Sequence, residues 1–475
     1  MEPSLRMNHI QDTFTPRSTQ QVILADTLTP VAIYMRLRDR YPNSILLESN
    51  EYGQRSNSYS FICCNPVATF EVNKKAIKSS FPDHSFTSQE YSSAFDLTSG
   101  LNEFKNSFAQ VENEFPFPTN GLFGYLSYDA VQLFEELEFR FRENETDNIP
   151  LAHYQVFQNV MIFDHYHNQL YVFDHSYANH ECKLEELLAV INHRDVAHYS
   201  FKCTEEETSE MKDDDFRELV RKGKEHCHRG DVFQIVLSRR FEQAFQGDDF
   251  NVYRQLRAIN PSPYLFYFDY GDFRIFGSSP EAQLLISGTK ASIQPIAGTY
   301  KRTGNDTADL KAAEELKKDP KEAAEHMMLV DLARNDLSRH AKNVVVEDYQ
   351  NIHFYSHVIH MVSKVSGLIN EKDKIQLIGD TFPAGTLSGA PKFRAMQLID
   401  HYEQSSREFY GGALGYLGFD GNFNHAIIIR SILSRKNKLL FRAGAGVVVE
   451  SNIENETQEV YHKTNALRSA INKAN

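Results

Sequence analysis

The sequence has 475 residues and a net charge of −14, with 41% apolar and 24% charged residues. That balance is ordinary for a globular protein in water, its length suits about three domain-sized units, and acidity without a long basic block argues against a nucleic-acid or anionic-membrane partner. The opening MEPSLRMNHIQDTF lacks the apolar core of a secretory signal, and no apolar run approaches the ~20 residues of a membrane span.

Residues 1–20 read as a frayed start. Thr29-Pro30 is a helix entry, with Thr as N-cap and Pro at the first helical position, and Val31, Tyr34, Met35 and Leu37 give the apolar stripe. Strands are expected at Ser44–Glu48, Ser58–Ile62 and Val67–Val72, an exposed connection over 77–95, and the end of a helix at Phe104–Val111. Gly121–Tyr128 suits a buried strand with close backbone approach. Gln155–Asp164 and Leu170–Asp174 read as a hairpin, and Cys182–Ile191 as a helix. The polar stretch 192–212 divides the chain into two regions, 20–195 and 205–475.

The second region opens with a helix, Asp214–His228, and a strand, Val232–Ser238. The helix Asn251–Ile259 stops at Asn260-Pro261-Ser262-Pro263, and four strands follow between Tyr264 and Pro295. A helical block covers 308–340, followed by strands at 344–348 and 357–366, the turn-rich Phe382–Lys392, four more strands from Gly411 to Glu450, and the closing helix Glu456–Asn472. Runs of antiparallel strands interspersed with helices predict a layered α+β fold.

Within the helical block, KEAAEHMMLVDLARND places Glu322 and Glu325 three apart on one face. A second pair, Glu456 and Glu459, has the same spacing, with Lys463 one turn on. Two such pairs suit a hard divalent cation that keeps waters and takes substrate oxygens; they equally suit two solvated, salt-bridged faces. PIAGT (Pro295–Thr299) and RAGAG (Arg442–Gly446) could bring backbone close to a ligand, or be a turn or bulge. FPAGTLSGAPK (Phe382–Lys392) can present hydroxyls and amides to an anion, or be only a loop. Neither a dinucleotide fingerprint nor a phosphate loop is present. In HVIHMVSKV, His357 and His360 fall on opposite faces of a strand, which argues against a metal pair; either could serve as an acid or base, or be a satisfied core residue. Cys227 lies on an apolar helix face and reads as core. Five cysteines without paired metal spacing point to a reducing, cytoplasmic compartment.

Taken in order, PIAGT, EAAEHMMLVDLARND, FPAGTLSGAPK, YGGALGYLGFDG and AGAGVVVESNIENETQEVYHKT resemble the chorismate-utilising enzymes, most closely the anthranilate synthase component I family, over about residues 25–470. The resemblance implies two β-sheets packed together and flanked by helices, and Mg²⁺-dependent conversion of chorismate and ammonia to anthranilate and pyruvate. It implies that Glu325 and Glu459 hold the metal, supported by Glu322 and Glu456. Gly298, Thr299, Tyr410, Arg430, Gly444, Ala445, Gly446 and Lys463 would bind substrate, with Arg430 suited to a carboxylate by its fork of donors. Glu281 would protonate the departing C4 hydroxyl, while His360 and Thr386 line the reacting face.

Relatives that add water to chorismate carry Lys where this chain has Gln234; aminodeoxychorismate synthases often carry a nucleophilic Lys where it has Ala297. Both positions point to anthranilate synthase, with aminodeoxychorismate synthase as the alternative. LLESN and NPSPY resemble the family's tryptophan feedback pocket, so that Ser49, Pro263, Tyr264 and Leu265 would contact the inhibitor, with the N-terminal region 20–195 contributing to that pocket and 205–475 forming the chorismate-binding catalytic region. None of the five cysteines has the flanking glycines of a glutaminase nucleophile, and the resemblance implies a separate glutamine amidotransferase subunit, in a heterotetramer, as the ammonia source.

Overall fold

The computed structural model describes residues 13–49, 58–90, 96–140, 149–193, 195–354 and 358–475. Every pairing between its strands is antiparallel. Two long strands, Tyr59–Val72 and Ala152–Asp164, run side by side with a bulge between Pro66 and Ala68. On one side of that bulge they pair with Ile45–Ser49 and Gln169–Ser176, and through them with a first sheet that continues over Tyr264–Asp269, Phe273–Ser279, Ser431–Arg435, Lys438–Val447 and Gln234–Gly247. On the other side they pair with Ala76–Ser80 and Leu122–Leu126, and so with a second sheet of Ala413–Leu417, Phe423–Ile427, Ala282–Ser287, Lys290–Ile293, Val358–Leu368, Ile296–Lys301 and Lys342–Phe354. A bulge bends and twists strands, which lets two of them serve both sheets.

The period-2 alternation of strands explains the layers. Ile45, Phe61, Phe266 and Phe268 from the first sheet meet Phe123, Tyr125, Phe157 and Leu414 from the second in one buried cluster. Their neighbours Leu46, Ile62, Tyr267 and Phe276 point the other way, onto helices carrying Ile33, Val220, Leu256 and Val460. Behind the second sheet, Leu122, Leu126, Ala413 and Val365 pack on helices carrying Leu101, Val330, Leu337 and Ile378. The result is the two-sheet, helix-flanked fold. Strands of the first region are interleaved with those of the second in both sheets.

Three local expectations are corrected. The 77–95 stretch holds two strands, Ala76–Ser80 and Phe86–Glu90, paired onto Thr69–Val72 and onto each other. In the first strand only Ala76 and Ser79 are buried, three apart and so on no common face, and the second is exposed throughout, so neither shows an apolar alternation. Residues 17–20 belong to a strand, Arg17–Leu24, which is exposed along most of its length and is held by backbone pairing to Gln169–Ser176. The helix read at Phe104–Val111 ends at Asn106, where Ser107 and Ala109 exchange backbone bonds with Phe14 instead. Among the described residues no helix is long and apolar enough to cross a membrane.

Candidate active site

The chain crosses between the two sheets at Pro280-Glu281, and again at Ile428–Arg430. The crossings are bonded together: Ile427 N–H donates to the Glu281 carbonyl at 3.0 Å, and Ser278 N–H to the Arg430 carbonyl at 3.1 Å. Strand ends that change sheets cannot continue a ladder, so their side chains are released toward whatever lies between. Arg430 makes its turn in the left-handed region, φ 50°, a conformation that costs a non-glycine residue about 1–2 kcal/mol and concentrates at functional sites.

Glu281 Oε1 accepts the Thr386 hydroxyl at 3.1 Å. Desolvation lifts the Glu281 carboxyl from 4.5 to about 8, against the opposing pull of Thr386 and of the Lys463 ammonium. At neutral pH it is therefore a protonated acid held beside a cation. Thr386 is carried by a short helix, Gly385–Ser388, whose first residue is packed so tightly that an added Cβ would lie 1.9 Å from Leu332 Cδ2 on the glutamate helix Pro320–Ser338.

Gly298 adopts φ +72°, and a Cβ there would stand 2.8 Å from Leu316 Cδ1 and 3.2 Å from Glu322 Oε2. Only glycine lets the PIAGT backbone lie this close to the helix bearing the first glutamate pair. The Gly298 carbonyl accepts His360 Nδ1–H at 3.2 Å, which assigns the tautomer and leaves Nε2 as the basic nitrogen. Desolvation keeps the His360 pKa below its usual value; the bond to Gly298 opposes this and the Arg430 charge adds to it. Thr299 is the register partner of His360 across the bulge in that strand pair.

The third wall is RAGAG, where Gly446, Ala445 and Gly444 pair with Val236, Leu237 and Ser238. Gln234 Nε2 would lie 2.8 Å from a Cβ at Gly446, so the amide covers this glycine. Lys463, on the C-terminal helix Ile453–Ala474, donates to the Gly444 carbonyl at 2.9 Å and pairs with Glu459 Oε1 at 2.5 Å. Arg430 Nη1 donates to the Lys463 carbonyl. Glu459 is held below its ordinary pKa: desolvation opposes this, and Lys463 and a hydrogen bond with Glu456 outweigh it. Desolvation lowers the Arg430 pKa, with Tyr410 and Glu459 opposing. Tyr410 is buried with Leu387 and Ile427 beneath the Thr386 loop.

The structure thus joins Glu281, Thr386, Lys463, Glu459, Glu456, Arg430, His360, Gly298, Glu322, Tyr410 and Gly444–Gly446 through a continuous set of contacts and electrostatic couplings. Glu325 is half-buried one turn from Glu322. Among the described residues no group of three or more His, Cys, Asp or Glu side chains forms a closed metal cage. The donor chemistry fits a hard cation all the same: Glu456 stands one turn from Glu459 on the C-terminal helix, the Glu459 carboxyl is held below its ordinary pKa, and Mg²⁺ commonly uses one or two carboxylates with waters and substrate oxygens.

The four residues expected to contact an inhibitor lie on adjacent strands or at their ends, elsewhere in the first sheet. Ser49 is the register partner of Tyr264, and Glu48 of Leu265. Leu265 and Pro263 are buried, and behind Ser49 the buried Glu48 carboxylate accepts the Tyr253 hydroxyl at 2.6 Å and pairs with Arg257 at 2.8 Å. Asn50 and His357 lie outside the described residues. Cys227 is buried, as its apolar face predicts.

Sequence reasoning missed a buried ionic cluster of Glu403, Arg407 and Arg442 behind the Gly444–Gly446 ladder. Its only signal is the i, i+4 spacing of Glu403 and Arg407, which is commonplace on exposed helices and carries no mark of burial.

Residues 42–469 match the family described as chorismate binding enzyme. The chain is 35% identical over 470 residues to anthranilate synthase component 1 of Aquifex aeolicus (strain VF5), covering 94% of this chain and 93% of that one. It is 36% identical over 475 residues to the anthranilate synthase component 1 of Acetivibrio thermocellus, with 95% and 94% covered. The crystal structure of anthranilate synthase component I from Streptococcus pneumoniae TIGR4 matches at TM-score 0.74 and 30% identity, over 94% of this chain and 99% of that one. The menaquinone-specific isochorismate synthase of Escherichia coli, at TM-score 0.72 and 18% identity over 96% and 95% of the two chains, shares the fold. The chain belongs to the chorismate binding enzyme family.

Proposed function

We propose that this chain is the large subunit of an anthranilate synthase, converting chorismate and ammonia to anthranilate, pyruvate and water. The observation that carries the reading is Glu281, a carboxyl held protonated at neutral pH beside Thr386 and Lys463. Ammonia attacks C2 of the ring, the double bonds shift, and the C4 hydroxyl leaves as water with the Glu281 proton. His360 Nε2 then takes the C2 proton as the C3–O bond breaks and the ring becomes aromatic. The enolpyruvate released takes that proton on its methylene carbon to become pyruvate, and the proton lost by the new ammonium group restores Glu281. Arg430 and Lys463 oppose the two substrate carboxylates, Tyr410 and the Gly298–Thr299 and Gly444–Ala445–Gly446 backbones shape the pocket, and Gln234, an amide, cannot generate the hydroxide that a Lys would.

Glu325 and Glu459 would hold Mg²⁺, with Glu322 and Glu456 in support. When bound, the ion supplies Lewis-acid polarisation and a template for the ring carboxylate.

A tryptophan feedback site is formed by Ser49 from the region 20–195 with Pro263, Tyr264 and Leu265 from the region 205–475, which also carries the chemistry. Ammonia comes from glutamine through an amidotransferase subunit in a cytoplasmic heterotetramer.

The test is purified chain with chorismate, Mg²⁺ and ammonium at alkaline pH. Anthranilate fluorescence with equimolar pyruvate supports the reading. An aminated product without pyruvate would make it an aminodeoxychorismate synthase, and no consumption of chorismate would refute both.

A further inference from the structure

The Arg407 guanidinium is buried, with its side chain 2% exposed, and each of its three nitrogens donates a hydrogen bond. Nη1 donates to the Leu387 carbonyl at 2.6 Å, the residue after Thr386. Nη2 donates to the Val236 carbonyl at 2.7 Å, opposite Gly446 in the ladder. Nε and Nη2 also hold the Glu403 carboxylate at 2.9 and 2.6 Å, and the guanidinium plane lies 4.7 Å from the Tyr128 ring and 5.8 Å from that of Tyr410.

Glu403 extends the same grip. Its Oε1 accepts Ser238 N–H and the Ser238 hydroxyl, both at 2.8 Å, and Ser238 is the register partner of Gly444. Its Oε2 pairs at 3.1 Å with Arg442, two residues before Gly444, and Arg442 reaches Glu210 at 3.5 Å. Two carboxylates thus face two buried guanidiniums, with Arg240 at 4.0 Å from Glu210 on the outer side. Burying such charges gains little stability over a well-packed apolar core, so a role in conformational specificity is the better account of them.

We propose that the Glu403–Arg407 pair is the positioning element of this active site, fixing the Thr386 loop, the Tyr410 ring and the Gly444–Gly446 ladder relative to one another from behind. Neither residue touches substrate. A lysine keeps the charge beside Glu403 but has one nitrogen, and cannot fork between the Leu387 and Val236 carbonyls.

The activity arm rests on the proposed reaction; the exchange arm does not. Arg407→Lys is compared with wild type, Thr386→Val and the double variant, after thermal unfolding shows each is folded. Amide exchange over 384–390 should accelerate on the order of 10-fold in Arg407→Lys, reporting a released loop. Its kcat for anthranilate should fall on the order of 100-fold with KM changed less than about threefold, because displacement of reacting groups by an ångström costs that much. The double variant should lose less than the product of the single losses, since both act through Thr386. Unchanged exchange over 384–390, or kcat losses that multiply, would overturn the proposal. If Arg407→Lys does not fold, Ser238→Ala, which removes one bond to Glu403, decides by the same exchange and kcat readouts. A wild-type chain inactive on chorismate defeats the proposed function and leaves the exchange result to decide the positioning.

Discussion

Ser278 and Arg430 are joined backbone to backbone, amide to carbonyl at 3.1 Å, where the chain passes between the two sheets. Ser278 is also the register partner of Leu265, and its hydroxyl donates to the Asn260 carbonyl at the start of NPSPY. One strand therefore touches the proposed effector turn on one edge and the proposed substrate arginine on the other. Tryptophan should inhibit, and Ser49→Phe, which fills the space opposite Tyr264, should relieve inhibition at least tenfold while most basal activity remains. Calorimetry showing no tryptophan binding to the unmodified chain would remove the effector assignment.

Glu281→Gln keeps the shape and the hydrogen-bonding capacity but holds no transferable proton. Its kcat should fall ~10²–10⁴-fold. In the wild type, activity at a fixed concentration of free ammonia should decline as pH rises through about 8, where the acid ionises. The stability sign follows from the same shift. Between 4.5 and about 8 the folded state keeps a proton that the unfolded state has lost, so this group's contribution to stability falls as pH rises. The melting temperature of Glu281→Gln should therefore gain on that of wild type from about pH 5 to about pH 8.5, and a constant gap would contradict the raised pKa.

Glu325→Ala and Glu459→Ala should each abolish anthranilate formation with little change in unfolding, because both side chains are half-exposed and anchor no core. EDTA should do the same to the wild type, with recovery on adding excess Mg²⁺. Activity that survives EDTA would end the metal assignment.

Gly298→Ala tests the PIAGT backbone. Its φ of +72° and the approaches of Leu316 Cδ1 at 2.8 Å and Glu322 Oε2 at 3.2 Å leave no place for a methyl group. Urea unfolding should show a loss of about 1–3 kcal/mol, and kcat should fall as the backbone carbonyl that accepts from His360 is displaced. Gly304→Ala has a similar φ, +80°, with nothing within 4 Å of the added Cβ, and should show only the backbone cost with normal activity. Equal effects at the two positions would mean that the tight packing at Gly298 is irrelevant.

Glutamine should support anthranilate formation only when a separate glutamine amidotransferase is added. All five cysteines are free, and Cys63, Cys64 and Cys227 are buried with thiol pKa values raised by desolvation, the reverse of an activated nucleophile. Ammonia-free glutamine turnover by this chain alone would refute it.

The sequence by itself determined the family, the order of the motifs, the two glutamate pairs and most strands and helices, because spacing along one helix or strand is local information. It also singled out Gly298, whose turn and close approach only glycine permits. Three things waited for the tertiary structure. Ala76–Ser80 and Phe86–Glu90 became strands because a neighbouring ladder offered their backbone partners. Glu281 became an acid because desolvation at a crossing between sheets, absent from any local pattern, raised its pKa. Glu403 and Arg407, indistinguishable in sequence from a solvated i, i+4 pair, became a buried brace because the Leu387 and Val236 carbonyls, some 20 residues upstream and on a distant strand, converge on one guanidinium. Burial and convergence depend on segments far apart in the chain, and neither is written in the spacing of any one of them.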